Sequence, residues 1–231
     1  MTLFSQPGST ISKRISEIRQ TLPASVRLIA VTKQVSVDAM RVAYNAGIRD
    51  FGESRVQEAD AKQKQLQDLT DVTWHLIGHL QTNKVQKALE QFQWIHSVDS
   101  LKLAQRLNQL AELLSRKPQI LLQVKLLPDP NKYGWSISDL FNDLPALNKC
   151  EHLDIVGLMT IPPLGLSHQE TATVFQQTRE LADNINRQNQ PRIQIRELSM
   201  GMSDDYLLAV QAGATMVRLG RVLFGERMPQ E

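Results

Sequence analysis

Six short apolar runs of this chain end in residues that could do chemistry. Lys33 follows Leu28-Ile29-Ala30-Val31-Thr32. An amine held at the mouth of an apolar strand is partly desolvated, and desolvation or nearby cations make it a nucleophile toward carbonyls. From position alone, a lysine extending its ammonium to water is the alternative. A later run leads into Ser199-Met200-Gly201-Met202-Ser203-Asp204-Asp205. This spacing predicts a helix beginning near Ser203, whose leading N–H groups and dipole would face an anion. The same residues also read as a cap at Ser203 with Asp204 and Asp205 in the first turn. Gly220-Arg221 offers a second close backbone approach with a cation beside it. Two adjacent loops of this kind point to a bound phosphate.

Arg218 lies between Val217 and Leu219. It either faces an interior, where an unpaired guanidinium would be expensive, or turns outward to a helix carboxylate; the residues leave both open. His75 and His79 have the i, i+4 spacing of a helical metal site, yet Trp74-His75-Leu76-Ile77 reads as a strand. On a strand the two rings would not converge, so they are expected to be structural and no metal is expected. Lys132-Tyr133-Gly134-Trp135 follows the turn over Pro128–Pro130 and reads as a loop entering a helix.

The elements that would position these residues alternate along the chain. An opening helix is expected from a cap at Ser9 or Thr10 to near Pro23, with Ile11, Ile15 and Ile18 on one face. Buried strands are expected at Val26–Val31, Ile48–Gly52, Thr73–Ile77, Trp94–Val98, Gln119–Val124, Leu153–Met159, Ile195–Leu198 and Met216–Leu219. Amphipathic stretches lie between them, such as Ser100–Leu114 and Thr171–Ile185. Eight strand–helix alternations suit a closed parallel barrel. A doubly wound sheet is the competitor, but its dinucleotide turn should be glycine-rich, and here the first turn reads Ala30-Val31-Thr32-Lys33. The expected fold is α/β: a single (β/α)8 TIM barrel over residues 1–231 with an extra N-terminal helix.

Composition narrows the function classes. With 42% hydrophobic and 22% charged residues the chain can bury a core. Its 26 basic residues nearly balance 24 acidic ones, so it projects no broad field toward nucleic acid or membrane, and an anion site must be local. Cys150 is the only cysteine, which excludes an internal disulfide and suits a reducing cytoplasm. Residues 1–18 lack the apolar segment of a signal peptide, and no apolar run reaches membrane-spanning length.

The chain resembles the YggS/PROSC family of pyridoxal-phosphate homeostasis proteins over nearly its whole length. The resemblance rests on Ala30-Val31-Thr32-Lys33, Phe51-Gly52-Glu53, Trp74-His75-Leu76-Ile77-Gly78, Leu80-Gln81-Thr82-Asn83-Lys84, Lys132-Tyr133-Gly134, Gly157-Leu158-Met159-Thr160-Ile161-Pro162-Pro163, Ser199-Met200-Gly201-Met202-Ser203 and Val217-Arg218-Leu219-Gly220. It implies a barrel like the N-terminal domain of alanine racemase, with pyridoxal 5′-phosphate (PLP) held as a covalent aldimine on Lys33. Ser199, Met200 and Gly201, with Gly220 and Arg221, would form the phosphate cup, and Arg218 would face the pyridine nitrogen. Two positions depart from the family pattern: Ser54 stands where asparagine is common, and His79 where proline is common.

The resemblance also implies a monomeric carrier that buffers or delivers PLP, with PLP-dependent apoenzymes as transient partners, and so affects amino-acid and keto-acid metabolism indirectly. Only six residues follow Gly225, so the β-rich domain that completes a racemase is not expected. An arginine at the pyridine nitrogen would keep that nitrogen unprotonated and weaken the electron sink an enzyme needs. An amino-acid racemase using Lys33 as base is the alternative; a Schiff-base aldolase is more remote.

Overall fold

Runs rich in aliphatic and β-branched residues form eight parallel strands: β1 (Arg27–Val31), β2 (Asp50–Glu53), β3 (Thr73–Leu76), β4 (Trp94–Val98), β5 (Gln119–Gln123), β6 (Asp154–Met159), β7 (Ile193–Ser199) and β8 (Met216–Leu219). The structure is a computed structural model that describes residues 7–129 and 132–225. Each strand pairs with its sequence neighbour and β8 returns to β1, closing the barrel. The helices around it are α1 (Pro7–Thr21), α2 (Val37–Asn45), α3 (Val56–Gln65), α4 (Val85–Gln91), α5 (Leu101–Leu113), α6 (Ile137–Leu147), α7 (His168–Arg187), α8 (Tyr206–Gln211) and α9 (Arg221–Phe224). This is the expected (β/α)8 barrel with its extra N-terminal helix. Among the described residues no helix is long and apolar enough to cross a membrane.

Strand alternation divides the core in two. Leu28 and Ala30 of β1, with Val217 and Leu219 of β8, pack outward against the helices in the large core. Ile29 and Met216 point the other way and join Trp94, Leu121, Val156 and Met159 inside the barrel. The same period sends Val31 and then Lys33 along the inner side of β1, and Arg218 and then Gly220 along that of β8. Ile29 and Arg218 are register partners. The pairing of β6 with β7 slips between Ile155 and Gly157, where a Cβ on Gly157 would lie 2.4 Å from the Glu197 carbonyl oxygen.

Several boundaries differ from the sequence reading for identifiable reasons. Strand β2 runs on to Glu53, a fully buried carboxylate that hydropathy cannot announce. Strand β7 starts at Ile193, because exposed Gln194 and Arg196 alternate with buried Ile193 and Ile195. Helix α1 starts at Pro7, a residue whose fixed φ suits the first helical position. Helix α7 has a complete capping box between Ser167 and Glu170 and so starts ahead of Thr171. The expected turn over Pro128–Pro130 reaches Pro130, which lies outside the described residues, as do residues 1–6 of the opening segment.

Leu121 is fully buried inside the barrel. Leu121→Ala should lower the unfolding free energy by about 2–5 kcal/mol through the cavity it leaves. Urea unfolding of the ligand-free protein measures this, and a loss below about 1 kcal/mol would mean that the interior layer repacks freely.

Candidate functional site

The C-terminal ends of the strands, where barrel sites form, surround a cavity of about 420 Å³. Lys33 and Ser54 line one side of it; Arg218, Gly220, Arg221 and Ser203 line the other, with Val31, Ile77 and Ile161 supplying apolar wall. Residues from β1, β2, β7 and β8 thus converge at one mouth although they lie far apart in the chain.

The backbone carrying Lys33 is held on both sides. Thr32 donates its hydroxyl to Glu53 Oε1 at 2.6 Å, and its carbonyl accepts from Lys62 Nζ at 2.6 Å. Gln34, in the left-handed region at φ 59°, donates its N–H to Glu58 Oε1 at 2.5 Å. Lys62 joins the two carboxylates, reaching Glu53 Oε1 at 2.7 Å and Glu58 Oε1 at 2.6 Å. Burial pushes Glu53 above the usual carboxylate range, against the opposing hydrogen bonds from Lys62 and Thr32. Its second oxygen, Oε2, is buried without a hydrogen-bond partner among the described residues. Burial also acts to raise Glu58, but the bonds from Lys62 and the Gln34 amide prevail and hold it low. Glu53 entered the sequence reading only within the stretch Phe51-Gly52-Glu53, with no role given to it, and neither Glu58 nor Lys62 was singled out, because a lysine in a polar helix looks like a surface residue.

Arg218 faces the interior, which decides between the two orientations left open. It is 4% exposed. Its Nη1 donates to the Ser199 carbonyl and to Ser199 Oγ, each at 2.7 Å, and Nη2 donates to the Thr160 carbonyl at 3.0 Å. Burial lowers its pKa to about 10, opposed by the field of Asp205, so it stays charged at neutral pH. Below it the interior is polar. Ser199 Oγ lies 2.8 Å from His96 Nδ1, His96 Nε2 lies 2.9 Å from His75 Nδ1, and His75 Nε2 lies 2.9 Å from Asp50 Oδ1. Burial lowers both histidines, His96 well below the ordinary value, so both rings are neutral.

The two loops expected to cradle a phosphate are adjacent, but with a different division of labour. Ser199 and Met200 are fully buried behind the cavity wall, Ser199 on Arg218 and His96, Met200 in the apolar core. Gly201 takes φ 92°, and a Cβ there would lie 2.6 Å from that of Ala209. The expected helix at Ser203 begins instead at Tyr206, because Asp205 Oδ1 accepts from the Met202 N–H at 2.6 Å and closes a turn first. Ser203 therefore does not cap α8; it faces the next loop, its Oγ 3.5 Å from the Val222 amide. Gly220 opens the short α9, and Arg221 ion-pairs with Asp204 across the mouth.

His75 and His79 end in different places, one inside the barrel and one at its rim. The His79 ring stacks on Tyr133 at 3.7 Å between centroids and meets Asp99 Oδ2 at 2.9 Å. The stacked ring thus packs against the segment that carries Lys132. Lys132 reaches across to the carbonyls of Ile161 (3.1 Å) and Pro162. Gly134, at φ 124°, lets Trp135 bridge to β5 beside Gln123. At the second departure, Ser54, the backbone is so close to Gly78 that a Cβ on the glycine would lie 2.3 Å from the Ser54 carbonyl.

The neutral histidines give the fold a pH dependence of known sign. The unfolded chain protonates them near pH 6.5 while the fold resists, so their contribution is present above about pH 6.5 and is lost as pH falls below it. Each ring adds a slope of up to about 1.4 kcal/mol per pH unit, opposed in part by Glu53, whose raised pKa favours the fold in acid. Urea unfolding at about pH 7 and about pH 5 should show the loss, and His96→Leu should make it smaller. An undiminished slope in that variant would put the proton uptake elsewhere.

Comparison with known proteins agrees with this geometry. Residues 8–228 match the family model for the alanine racemase N-terminal domain. A pyridoxal phosphate homeostasis protein of Synechocystis is 53% identical over 92% of this chain and 97% of its own length. The structure of PipY from Synechococcus elongatus with PLP bound is 52% identical, with a TM-score of 0.89 over 93% of this chain and all of that one. An alanine racemase of Clostridium difficile shares the fold at 16% identity and TM-score 0.76, but this chain covers only 57% of it. By this sequence match, and by the barrel and the residues at its mouth, the chain belongs to the family of pyridoxal phosphate homeostasis proteins.

Proposed function

We propose that the chain binds PLP in the upper cavity, joined as a Schiff base to Lys33, and that it buffers or delivers the cofactor rather than catalysing a reaction with it. The observation that carries this reading is the convergence of Lys33 and Arg218 on one cavity from neighbouring strands. The donor set suits such a ligand: an amine for the aldehyde, a charged guanidinium for the ring nitrogen, and the start of α9 with Arg221 for the phosphate. In this reading Ser199, Met200 and Gly201 support the phosphate cup from behind, while Gly220, Arg221 and Ser203 meet the phosphate.

The non-catalytic part rests on Arg218 and on what its relatives are named. A guanidinium that stays protonated donates to the ring nitrogen instead of giving it a proton, so the ring withdraws electrons weakly. The protein is proposed to act in the cytoplasm as a monomer, with PLP-dependent apoenzymes as transient partners. Borohydride reduction followed by peptide mapping tests the assignment. A single pyridoxyl adduct on Lys33 is expected, and label found mainly on other lysines would overturn it. Incubating the holoprotein with a panel of amino acids tests the racemase alternative, which requires turnover.

Affinity should divide between anchor and covalent bond. Charge-assisted hydrogen bonds to the phosphate contribute roughly 1.5–3 kcal/mol each, whereas the Schiff base needs the aldehyde already held beside the amine. Lys33→Ala should therefore lose the Schiff-base absorbance yet still retain PLP noncovalently. Arg221→Ala should keep that absorbance but lose PLP faster on dialysis. Pyridoxal, lacking the phosphate, should be retained least by the unmutated protein; equal retention of pyridoxal and PLP would rule out the phosphate cup.

A further inference from the structure

The polar chain below Arg218 has one direction only. Arginine donates and never accepts, so Ser199 Oγ accepts from Arg218 Nη1 at 2.7 Å; its own hydrogen is then available to His96 Nδ1 at 2.8 Å, which accepts it when that ring is neutral with its hydrogen on Nε2. The His96 hydrogen then sits on Nε2 and points to His75 Nδ1 at 2.9 Å. The His75 hydrogen likewise sits on Nε2 and points to Asp50 Oδ1 at 2.9 Å. A carboxylate oxygen at the far end accepts, and with both rings neutral this sets the order of every bond up to Ser199. Protonating His75 on both nitrogens would set its Nδ1–H against the His96 Nε2–H.

The chain begins in the upper cavity and ends at the lower mouth. Asp50 opens β2, where it lines a second cleft together with Arg27, Arg19 and Arg49. Arg27 Nη1 lies 3.7 Å from Asp50 Oδ1 and stacks over Trp94 at 4.9 Å. Arg49 is engaged by Asp71 and by the Tyr44 and Ile48 carbonyls, and Arg19 by the Gly47 carbonyl. Arg27 is therefore the cation that sets how much of the Asp50 charge is free to act on His75.

Aligned hydrogen bonds in a low-dielectric interior polarise one another, by perhaps 10–30% per bond. A carboxylate at the accepting end draws each hydrogen in the chain toward itself. Ser199 Oγ becomes a better acceptor, and the guanidinium a weaker donor toward whatever it faces above. We infer that Asp50 and Arg27 at the lower mouth tune, through His75, His96 and Ser199, how strongly Arg218 polarises the ring nitrogen of the ligand in the upper cavity. Asp50, His75, His96 and Ser199 are thus positioning residues that act through Arg218. This rests on the reading of the cavity as a PLP site.

The test reads nitrogen-15 resonances of the ring nitrogen in labelled PLP bound to the full chain. Asp50→Asn keeps an acceptor for His75 but removes the charge, so Arg218 donates more strongly and the resonance moves upfield, toward the protonated form. Arg27→Gln exposes the Asp50 charge and moves it the opposite way. In a His96→Leu background, or His75→Leu if that variant does not fold, both substitutions should leave the resonance where the background puts it. Shifts of equal sign, no shift, or shifts that persist in the broken chain would overturn the inference, the last by showing a through-space field. The ligand-free protein supplies a separate reading: both imidazoles must carry their hydrogen on Nε2, and Nδ1–H on either would overturn the stated direction. Should the protein fail to retain PLP, the proposed function falls, and the relay is then judged on those tautomers and on the Arg218 guanidinium resonances. These must respond with the same opposite signs; unmoved, they overturn it.

Discussion

A guanidinium does not give up its proton at neutral pH, and this barrel holds one with 4% of its surface exposed, on the inner side of β8. Leaving that charge unsolvated would be very expensive, and much of the upper interior is arranged around it. The carbonyls of Ser199 and Thr160 turn inward to accept from it, at the ends of β7 and β6. The Arg218 amide donates to the Gly201 carbonyl at 3.0 Å, in the loop whose left-handed glycine approaches α8 too closely for any side chain. Ser199 supplies a further acceptor, and its own hydrogen is then available to the imidazole of His96. The geometry of the mouth is a consequence of pairing one buried ion with backbone carbonyls and a hydroxyl.

Lys33 is positioned by a different device. Glu53, Glu58 and Lys62 form an ion cluster between barrel and helix layer, and the backbone on both sides of Lys33 hydrogen-bonds to it. Buried ion pairs are weak contributors to net stability and often yield to apolar residues without loss. Their value here is geometric: a carboxylate and an ammonium fix a carbonyl, an amide and a hydroxyl at once, which apolar packing cannot do. Glu53 Oε2, without a hydrogen-bond partner among the described residues, marks the energetic cost of this arrangement.

How much was legible in the sequence follows from what hydropathy reports. The barrel was, because eight apolar runs with helical stretches between them leave few alternatives, and β4 and β8 match residue for residue. The gathering of Lys33, Arg218, Gly220 and Arg221 on one cavity was, because they follow or interrupt apolar runs. The interior polar chain was not. His96 and Ser97 sit within Trp94–Val98, all five residues buried, and a polar residue at such a position reads as noise unless its partners on other strands are known. The Ser203 cap failed for a local reason: Asp205 accepts from the Met202 amide and closes a turn over residues 202–205, so the helix starts three residues later than expected. His79 and Tyr133, 54 positions apart, meet only because β3 and the segment after β5 share the barrel rim.

Barrels of this class usually fill their interior with layers of branched aliphatic side chains, which hold the strands but transmit nothing. This one keeps such a layer in Ile29, Leu121, Val156 and Met159 on one side and runs a polar chain from Asp50 to Arg218 on the other. The carrier role proposed for this chain would make use of that asymmetry. An enzyme fixes the electronics of its cofactor for one reaction, whereas a protein that must both hold PLP and release it needs an attachment whose strength can change without dismantling the site. Lys33 is clamped and the loops around Gly201 are tight, so neither can loosen cheaply. The donor strength of Arg218 is the adjustable quantity, since it depends on hydrogen positions along a chain whose far end lies at the opposite mouth, beside the paired charges of Asp50 and Arg27.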